Sequence, residues 1–486
     1  MSCGFVSQLD VMWTQFIDEL KQNFQNVEKH VFLSFTEQPL VGSNTIILFL
    51  ESYRNLLHHV TANPLVGKDN VIITGQSGIG KSTLAILLMR QLIFDGKPFC
   101  ISINGPTLYC WNRVQEAYTT LISDNCSEFH DTNYTWIIDN SEHGPFTVAR
   151  CKRILIASAK EKYELYAKNC RPRFVYLPLP SADEIHAIAS MNGLTRPEVS
   201  RRLSIAGRIT RFILDPCFLN VEKNIKAQIK KCSFEASIER TMYVSIGAHH
   251  HSSCIFHSDA NDNFEETNLF LGSPFIVKLY MDEWSRRDSS QFHQYIANRD
   301  ALSEEPIMYG KAFERYCHSQ LKKGGTFRCK LLHSMNLVPA IHEREFKKRI
   351  KERRVQYIDT CAENIMFIGE AYNEPMYGNF GAMDSLVLFP DMPDKTVVAE
   401  LYRVTFDLDQ GCNGAALDAL LRYLKDFTNT KTFFVKLYFV VPETRFDNFG
   451  MQPYASPFAS ISCMEQYVLG VPTDKPLVGF MSGWWF

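Results

Sequence analysis

The chain has 486 residues, of which 45% are hydrophobic and 21% are charged, so two or three globular domains are expected. Its net charge of −2 excludes a global attraction to nucleic acid, which would instead need a local basic patch. The 14 cysteines include no Cys-x-x-Cys pair, which favours reduced thiols in a cytosolic or nuclear compartment.

The N-terminal region, residues 1–45, is predicted to be a helical segment. Apolar residues recur at helical spacing from Leu9 to about Val27, which predicts an amphipathic helix that either packs internally or binds a partner. A second helix is predicted from Thr45 to about Val60. No signal peptide and no apolar run of membrane-spanning length is visible, so we expect no membrane partner.

A phosphate loop is predicted between the apolar run that begins at Val71 and a helical run that begins at Leu84. Residues 75–82 match the pattern G-x-x-x-x-G-K-[ST] in the required order of strand, loop and helix. Glycines let the backbone aim several N–H groups at one phosphate, and the helix N-terminus adds its positive end. Lys81 would reach the β- and γ-phosphates, and the Ser82 hydroxyl would bind Mg²⁺. The predicted nucleotide-binding residues are Gly75, Gln76, Ser77, Gly78, Ile79, Gly80, Lys81, Ser82 and Thr83.

An apolar strand that ends at Asp139 has the form of a Walker B element, with the carboxylate reaching the Mg²⁺ shell beside Ser82. Many hydrolytic relatives place a glutamate directly after this aspartate. Here Asn140 follows, and Glu142 comes two residues later. Two interpretations stay open: Glu142 is the general base, or turnover is slow and ATP or GTP acts mainly as a switch.

Two further residues are predicted near the nucleotide. A short strand ends at Ser158, a position that suits a sensor of the γ-phosphate. Arg211 resembles the second-sensor arginine of AAA-like ATPases, although a surface arginine is the alternative. Because strands alternate with helices, we expect a parallel α/β sheet and assign residues 46–215 to a P-loop NTPase domain.

Residues 216–300 are predicted to form a helical and irregular connecting region. His249–His251, Cys254 and His257 are residue types found in zinc sites, but their spacing matches no metal pattern, so an exposed irregular loop is expected. The stretch from Leu269 to Tyr280 predicts a strand, a turn, and then a strand or helix.

The last third of the chain, residues 301–486, carries three acids in a suggestive order. Glu314 lies in a predicted helix, Asp384 on one predicted strand and Glu400 on the next. This is the order of the PD-(D/E)xK restriction-endonuclease-like α/β core. A carboxylate on a buried strand is costly unless it is paired or binds a metal, so Asp384 and Glu400 are predicted to share Mg²⁺. Unrelated acids on edge strands are the alternative.

The densest basic run, residues 347–354, has three interpretations. It could grip the phosphates of double-stranded DNA, serve as a nuclear-import signal, or form a solvated helix face. Beside a predicted nuclease, we favour phosphate contact.

Several motifs between about residue 45 and residue 472 occur in an order that resembles the order in Crinkler effectors and the related retrotransposon hot spot proteins. Besides the phosphate loop they are Gly310-x-x-Phe313-Glu314, Leu401–Thr405, Phe439–Pro442 and Glu465–Leu469. The resemblance implies an AAA/STAND-like P-loop NTPase fused to a nuclease, with nucleotide and Mg²⁺ at Lys81, Ser82 and Asp139, and metal or catalysis at Glu314, Asp384 and Glu400. It also implies a secreted effector that acts on DNA in the host nucleus and promotes cell death or altered immunity.

The chain departs from this family in two places. The family's N-terminal header is not visible, and the nuclease lysine is absent because Tyr402 stands two residues after Glu400. The family often shows Gln-x-Thr where Arg403–Thr405 stand here. In a regular strand Glu400 and Tyr402 share one face, and Arg403 and Thr405 share the other. Both sets can reach one metal only through a bulge, or else one of the two assignments is wrong. The candidate catalytic residues are Glu314, Asp384, Glu400, Tyr402 and Arg403 in the nuclease, and Glu142 in the NTPase.

We therefore predict that nucleotide binding controls a Mg²⁺-dependent endonuclease. One alternative is a degenerate nuclease that binds DNA or a host nuclear protein without cutting. Another is a regulatory NTPase whose nucleotide state sets homo-oligomerisation.

Overall fold

The chain folds as two units in the computed structural model. The first comprises Met1–Gln228 and Glu235–Gly272, and the second Ile229–Phe234 and Ser273–Phe486. The residues that the structure describes are 8–22, 25–27, 30–35, 45–62, 70–103, 107–122, 126–139, 149–157, 166–168, 171–232, 254–267, 269–297, 306–334, 345–358, 370–375, 383–391, 396–408, 413–428, 432–453 and 464–473.

The first unit alternates strands and helices, as predicted. Its elements are α1 (Gln8–Gln22), β1 (Gln25–Val27), β2 (His30–Phe35), β3 (Thr45–Phe49), α2 (Glu51–Ala62), β4 (Asn70–Thr74), α3 (Lys81–Asp95), β5 (Phe99–Ile103), β6 (Thr107–Asn112), β7 (Glu116–Leu121), α4 (Ser127–His130), β8 (Thr135–Asp139), β9 (Lys152–Ile156), β10 (Arg173–Tyr176), α5 (Ala182–Met191), α6 (Arg196–Ala206), α7 (Thr210–Ile213), α8 (Phe218–Ile229), β11 (Phe256–His257) and β12 (Phe270–Leu271).

A seven-stranded sheet organises this unit, in the order β10-β4-β9-β8-β5-β6-β7. The first five strands are parallel, and β6 and β7 extend the sheet antiparallel. Val71, Ile72 and Ile73 of β4 are all buried, as a strand covered on both faces requires. The predicted α/β fold with a mostly parallel sheet is confirmed for this unit.

The N-terminal predictions need two corrections. The first helix ends at Gln22, and Gln25–Val27 pairs with β2 as a strand, so it does not continue the helix to Val27. Residues Thr45–Phe49 form β3, and the second helix begins only at Glu51. The run Thr-Ile-Ile-Leu-Phe is β-branched and apolar, and its pairing with β2 overrides the helical spacing read from the sequence.

The predicted connecting region 216–300 is divided between the two units. Cys254 and His257 are buried within the first unit rather than exposed in a loop, while His249–His251 lie outside the described residues. In the stretch that begins at Leu269, a short strand is followed by a helix that starts at Pro274. Ser273 caps that helix by accepting a hydrogen bond from the Ile276 N–H.

In the second unit Glu314 lies on a helix and Glu400 on a strand, as predicted, whereas Asp384 directly precedes its strand. The elements of this unit are α9 (Pro274–Arg287), α10 (Ser289–Ala297), α11 (Pro306–Lys323), β13 (Gly325–Ser334), β14 (Glu345–Ile350), β15 (Val355–Ile358), β16 (Tyr372–Pro375), β17 (Ser385–Asp391), β18 (Thr396–Val404), α12 (Gly414–Thr428), β19 (Thr432–Pro442), α13 (Glu443–Phe446) and β20 (Met464–Val471).

An eight-stranded mixed sheet organises the second unit, in the order β14-β13-β20-β19-β18-β17-β16-β15. Strands β17 and β18 are antiparallel, and β18, β19 and β20 are parallel. Helix α12 connects β18 to β19 and packs its leucines on one face of the sheet. The basic run falls on β14 and the loop after it, so the alternative interpretation as a solvated helix face is wrong. Among the described residues no helix is long and apolar enough to cross a membrane.

Candidate functional site

The glycine loop follows β4 directly and leads into α3, so the predicted order of strand, loop and helix is confirmed. Gly75, Gly78 and Gly80 have φ values of +134°, +87° and +101°, which favour glycine. A Cβ atom on Gly75 would lie 2.8 Å from the Leu177 carbonyl oxygen. Glycine is therefore required here both by backbone conformation and by the close approach of the neighbouring chain.

Lys81 lies buried at the start of α3 and folds back over the loop. Its Nζ donates hydrogen bonds to the carbonyl oxygens of Gly75 at 2.8 Å and Gln76 at 2.6 Å. Burial lowers the pKa of Lys81 to about 7, with a further decrease from the charge of Arg211 and an opposing increase from Asp139. Both hydrogen-bond acceptors are neutral carbonyl oxygens, so a phosphate oxygen would be a stronger acceptor for the ammonium.

Asp139 and Arg211 both lie close enough to act electrostatically on Lys81. Asp139 is the last residue of β8 and is buried. Because β8 and β4 are parallel strands of one sheet, their carboxyl ends lie at the same edge. The Arg211 N–H donates to the Gly78 carbonyl at 3.0 Å, and a Cβ on Gly78 would lie 3.1 Å from Arg211 Cβ. The structure thus brings the predicted arginine to the loop, while its side chain remains exposed.

The other predicted nucleotide-binding residues differ in how far they are exposed to solvent. Ile79 is buried in the core, whereas Ser82 is exposed in the first turn of α3. Ser77 and Thr83 are half-buried in the loop and in α3. Glu142 and Ser158 lie outside the described residues, so their predicted roles stay predictions. Strand β9, which leads to Ser158, neighbours β4 in the sheet.

Two contacts of the loop were not predicted from the sequence. Tyr53 of α2 is buried, and its hydroxyl donates to the carbonyl oxygens of Ile79 and Gly80, each at 3.2 Å. Burial raises the pKa of Tyr53, with a smaller increase from the charge of Glu184, so the hydroxyl remains a donor. The Gln76 side chain makes the second contact, with backbone groups about 180 residues away. No local pattern signals partners at that separation.

In the second unit, Glu314 and Asp384 lie close enough to influence each other's charge. The pKa of Asp384 is raised to about 7, chiefly by burial and then by the charge of Glu314. A backbone hydrogen bond and the charges of Arg403 and Lys311 oppose this rise. Asp384 Oδ2 accepts from the Val404 N–H at 2.7 Å. Lys311 lies one helical turn before Glu314 and donates to its Oε2 at 2.8 Å. An acid pair with two nearby cations results.

Glu400 belongs to a different cluster. It accepts hydrogen bonds from Lys348 Nζ at 2.6 Å and from the Tyr402 hydroxyl at 2.7 Å. Burial alone would raise the pKa of Glu400, but the ammonium of Lys348 and these hydrogen bonds bring it below its usual value. The Tyr402 hydroxyl therefore fixes the Glu400 carboxylate in place. The negative charge of this carboxylate is already balanced by the Lys348 ammonium.

The strand register indicates how Asp384 and Glu400 are placed relative to each other. Ser385 pairs with Tyr402 and Val387 with Glu400, so Asp384 precedes the strand at the end nearest Arg403. In regular strands Asp384 and Glu400 would face opposite sides. Within the part of the chain that the structure describes, no group of three or more histidine, cysteine, aspartate or glutamate residues could hold a metal ion. This register would place the two carboxylates on opposite faces of a regular sheet, and their sharing of Mg²⁺ stays a prediction.

The basic run is split by the alternation of β14. Lys348 points inward to Glu400, and Arg353 lies half-buried over the Phe389 ring at 4.8 Å. The remaining basic residues of the run are exposed: Lys347, Arg349, Lys351 and Arg354. Only this outer set is placed to contact a phosphate backbone.

Comparison with known proteins gives little. No protein-family model matches the chain, and no curated protein matches it. Among solved structures, a mutant of RuvB from Thermotoga maritima is similar with 12% sequence identity and a TM-score of 0.24, over 57% of this chain and 90% of that chain. At this TM-score the similarity establishes neither family nor function.

Proposed function

We propose that the first unit binds a nucleoside triphosphate, ATP or GTP, together with Mg²⁺. The observation that carries the proposal is the convergence of Lys81, Asp139 and Arg211 on a glycine loop at one edge of a parallel sheet. Backbone N–H groups of such a loop and the N-terminus of the following helix favour a phosphate. Lys81 would exchange its two carbonyl acceptors for phosphate oxygens, which form stronger charge-assisted hydrogen bonds.

The residues at this edge also fit Mg²⁺. The Ser82 hydroxyl and the Asp139 carboxylate are oxygen donors, the ligand type that Mg²⁺ prefers, and both lie at the loop end of the sheet. When bound, the ion would neutralise charge on the phosphate oxygens. Arg211 would add a second positive charge beside Gly78, where the main chain already fixes its position.

The test is calorimetric titration of the intact chain with Mg²⁺-ATP and Mg²⁺-GTP. Lys81→Ala removes charged hydrogen bonds worth about 1.5–3 kcal/mol, so affinity should fall by roughly tenfold or more. Lys97→Ala is the matched control, because Lys97 is 56% exposed and lies beyond the other end of α3. Equal affinities for the wild type and Lys81→Ala would remove the proposal.

Hydrolysis is the finer part of this proposal, with Glu142 as the general base. Glu142→Gln should lower phosphate release while leaving Mg²⁺-ATP affinity within about twofold, since a general base acts on water rather than on the bound phosphates. Release by the wild type that does not exceed the Lys81→Ala background would instead support a nucleotide switch with slow turnover.

We also propose that the second unit is a Mg²⁺-dependent endonuclease, as the resemblance to Crinklers implies. The pairing of buried Asp384 with Glu314, beside Lys311 and Arg403, favours this candidate. The two carboxylates would hold the ion, and the two cations would stabilise charge on the scissile phosphate. Arg403 cannot serve as a base at neutral pH, so it is assigned electrostatic stabilisation only. Glu400 is not assigned to the metal, because Lys348 and Tyr402 occupy it.

Plasmid nicking in Mg²⁺ tests this assignment. Asp384→Ala and Glu314→Gln should each abolish nicking, whereas Asp447→Asn, a surface acid 72% exposed, should not change it. Equal nicking by all four proteins would refute the assignment. Salt-sensitive DNA binding by the wild type and Asp384→Ala, without cleavage by either, would support the non-cleaving alternative.

The resemblance extends the proposal to a secreted effector in which nucleotide controls nicking in a host nucleus. Nicking assays with and without Mg²⁺-ATP, for the wild type and Lys81→Ala, test the control directly. A nucleotide effect confined to the wild type supports it, and identical rates in all four assays contradict it. Light scattering of the same samples distinguishes control through homo-oligomerisation from control within one chain.

A further inference from the structure

The loop residue Gln76 reaches out of the phosphate loop to a distant part of the same unit. Its Nε2 donates to the Phe256 carbonyl at 3.3 Å, and its Oε1 accepts from the Ser258 N–H at 3.2 Å. These are the two backbone groups on either side of His257. One buried amide side chain therefore pairs with this segment as a neighbouring strand would.

Residues 254–260, here called the clasped segment, are also fixed from the opposite side. The Asp259 carboxylate accepts from Arg208 Nη2 at 2.5 Å and from the Leu179 N–H at 2.8 Å. His257 fills the space beside Gly207, where an added Cβ would lie 2.8 Å from the ring. Arg208 precedes Arg211 by three residues, so the clasped segment contacts both the phosphate loop and the arginine turn beside it.

The main chain of Gln76 is itself part of the Lys81 site. Its carbonyl accepts the shortest hydrogen bond that Lys81 makes, at 2.6 Å. A triphosphate that attracts Lys81 would release this carbonyl, and the same residue's side chain holds the clasped segment. A change at the phosphate site therefore has a direct route, through one residue, to Phe256 and Ser258.

We propose that Gln76 is a positioning residue that couples triphosphate binding at Lys81 to the order of the clasped segment. The inference rests on the proposed nucleotide function and adds regulation to that site. The coupling is reciprocal by thermodynamic necessity, so loosening the clasped segment weakens nucleotide binding by the same factor. In chain order this segment leads to Gly272, after which the chain enters the second unit.

Hydrogen exchange of the intact chain, with and without saturating Mg²⁺-ATP, tests the inference. In the wild type, nucleotide should order the clasped segment and slow exchange at the Ser258 amide several-fold, because the acceptor of this amide is Gln76 Oε1. Gln76→Met keeps similar size without the amide, and should exchange at the same rate with and without nucleotide. Gln76→Glu keeps the acceptor for Ser258 and should restore part of the response.

Arg208→Ala provides a second route that leaves the loop sequence intact. It loosens Asp259 from the far side, so Mg²⁺-ATP affinity should fall several-fold by reciprocity, while the Arg201→Ala control on α6 should bind as the wild type does. A nucleotide response in Gln76→Met equal to that of the wild type, or unchanged affinity in Arg208→Ala, would overturn the coupling. Wild-type binding that depends on Lys81 but leaves the clasped segment unchanged would overturn it while sparing the proposed function. No binding at all overturns both.

Discussion

At the scale of single residues, His257 shows how burial alone creates a pH dependence. Neither ring nitrogen has a hydrogen-bond partner within the described residues, and the side chain is fully buried. Burial lowers the pKa of His257 to about 4, with a smaller decrease from Arg208 and an opposing increase from Asp259. The unfolded chain would titrate near the ordinary value of 6.5, so it binds a proton in a range where the folded form does not.

The stability that His257 contributes is therefore complete above about pH 6.5 and is lost as the pH falls toward 4. The free energy of unfolding should decrease by about 3 kcal/mol across this window because of this residue, from about 1.4 kcal/mol per pKa unit. In His257→Leu the decrease should be smaller by that amount. Urea unfolding of both proteins at about pH 7.5 and about pH 4 measures the difference, and parallel pH profiles would contradict it.

Sequence reasoning at this scale can place a residue where the pattern that contains it is local. Lys81 and Asp139 could be predicted because a loop pattern and a strand end are each read within a few residues. Tyr53 and Gln76 could not, since their partners are fixed by the packing of α2 and of the clasped segment. Glu400 was predicted to be a metal ligand from its place on an apolar strand. Its ion-pair partner, Lys348, is 52 residues away and could not be predicted, because the two meet only in the folded sheet.

At the scale of elements, helix α12 is held by one apolar face. Leu417, Leu421 and Leu424 are buried against the sheet, while Arg422 on the opposite side is exposed. Leu421→Ala should destabilise the second unit by about 2–5 kcal/mol, because it removes buried methyl groups and leaves a cavity. Arg422→Ala should change stability by less than about 0.5 kcal/mol, since its ion pair with Asp418 is a surface one. Urea unfolding of the two variants should separate them, and similar midpoints would contradict this packing.

The alternation of strand β14 predicts which basic residues would contact DNA in the proposed nuclease. Alternation turns Lys347 and Arg349 outward and Lys348 toward Glu400. The double variant Lys347→Ala, Arg349→Ala should weaken DNA binding and reduce the slope of log affinity against log salt by about 0.9 per lost phosphate contact. Filter binding from low to moderate salt measures the slope, with Lys97→Ala as the control. An unchanged slope would exclude this strand from the DNA interface.

The helix interpretation of the basic run failed for a physical reason. A run of lysines and arginines carries little local preference, and its conformation here is set by antiparallel pairing with β13. The strands around Asp384 and Glu400, by contrast, were recognised because their apolar residues dominate the pattern. What the sequence did not reveal was the register between them, on which the meeting of two carboxylates depends.

At the scale of the whole molecule, the order of elements was predicted but the division of the chain was not. Alternating strands and helices indicated the parallel sheet of the first unit, and its carboxyl edge collects the loop, Asp139 and Arg211. The two units are not continuous stretches of sequence, as the predicted domains were. Ile229–Phe234 belongs to the second unit, whereas Glu235–Gly272 belongs to the first. Residues 235–272 belong to the first unit because of contacts such as those of Gln76 with Phe256 and Ser258. No change of composition along the sequence indicates these contacts.

The central claim, that the glycine loop and Arg211 bind one triphosphate, is tested most directly by a double-variant titration. Mg²⁺-ATP affinity is measured by calorimetry for the wild type, Lys81→Ala, Arg211→Ala and the double variant. We predict that each single change weakens binding by roughly tenfold and that the double change costs less than the sum, because both cations act on one ligand. Mg²⁺-ATP affinity that is the same in all four proteins would contradict the claim.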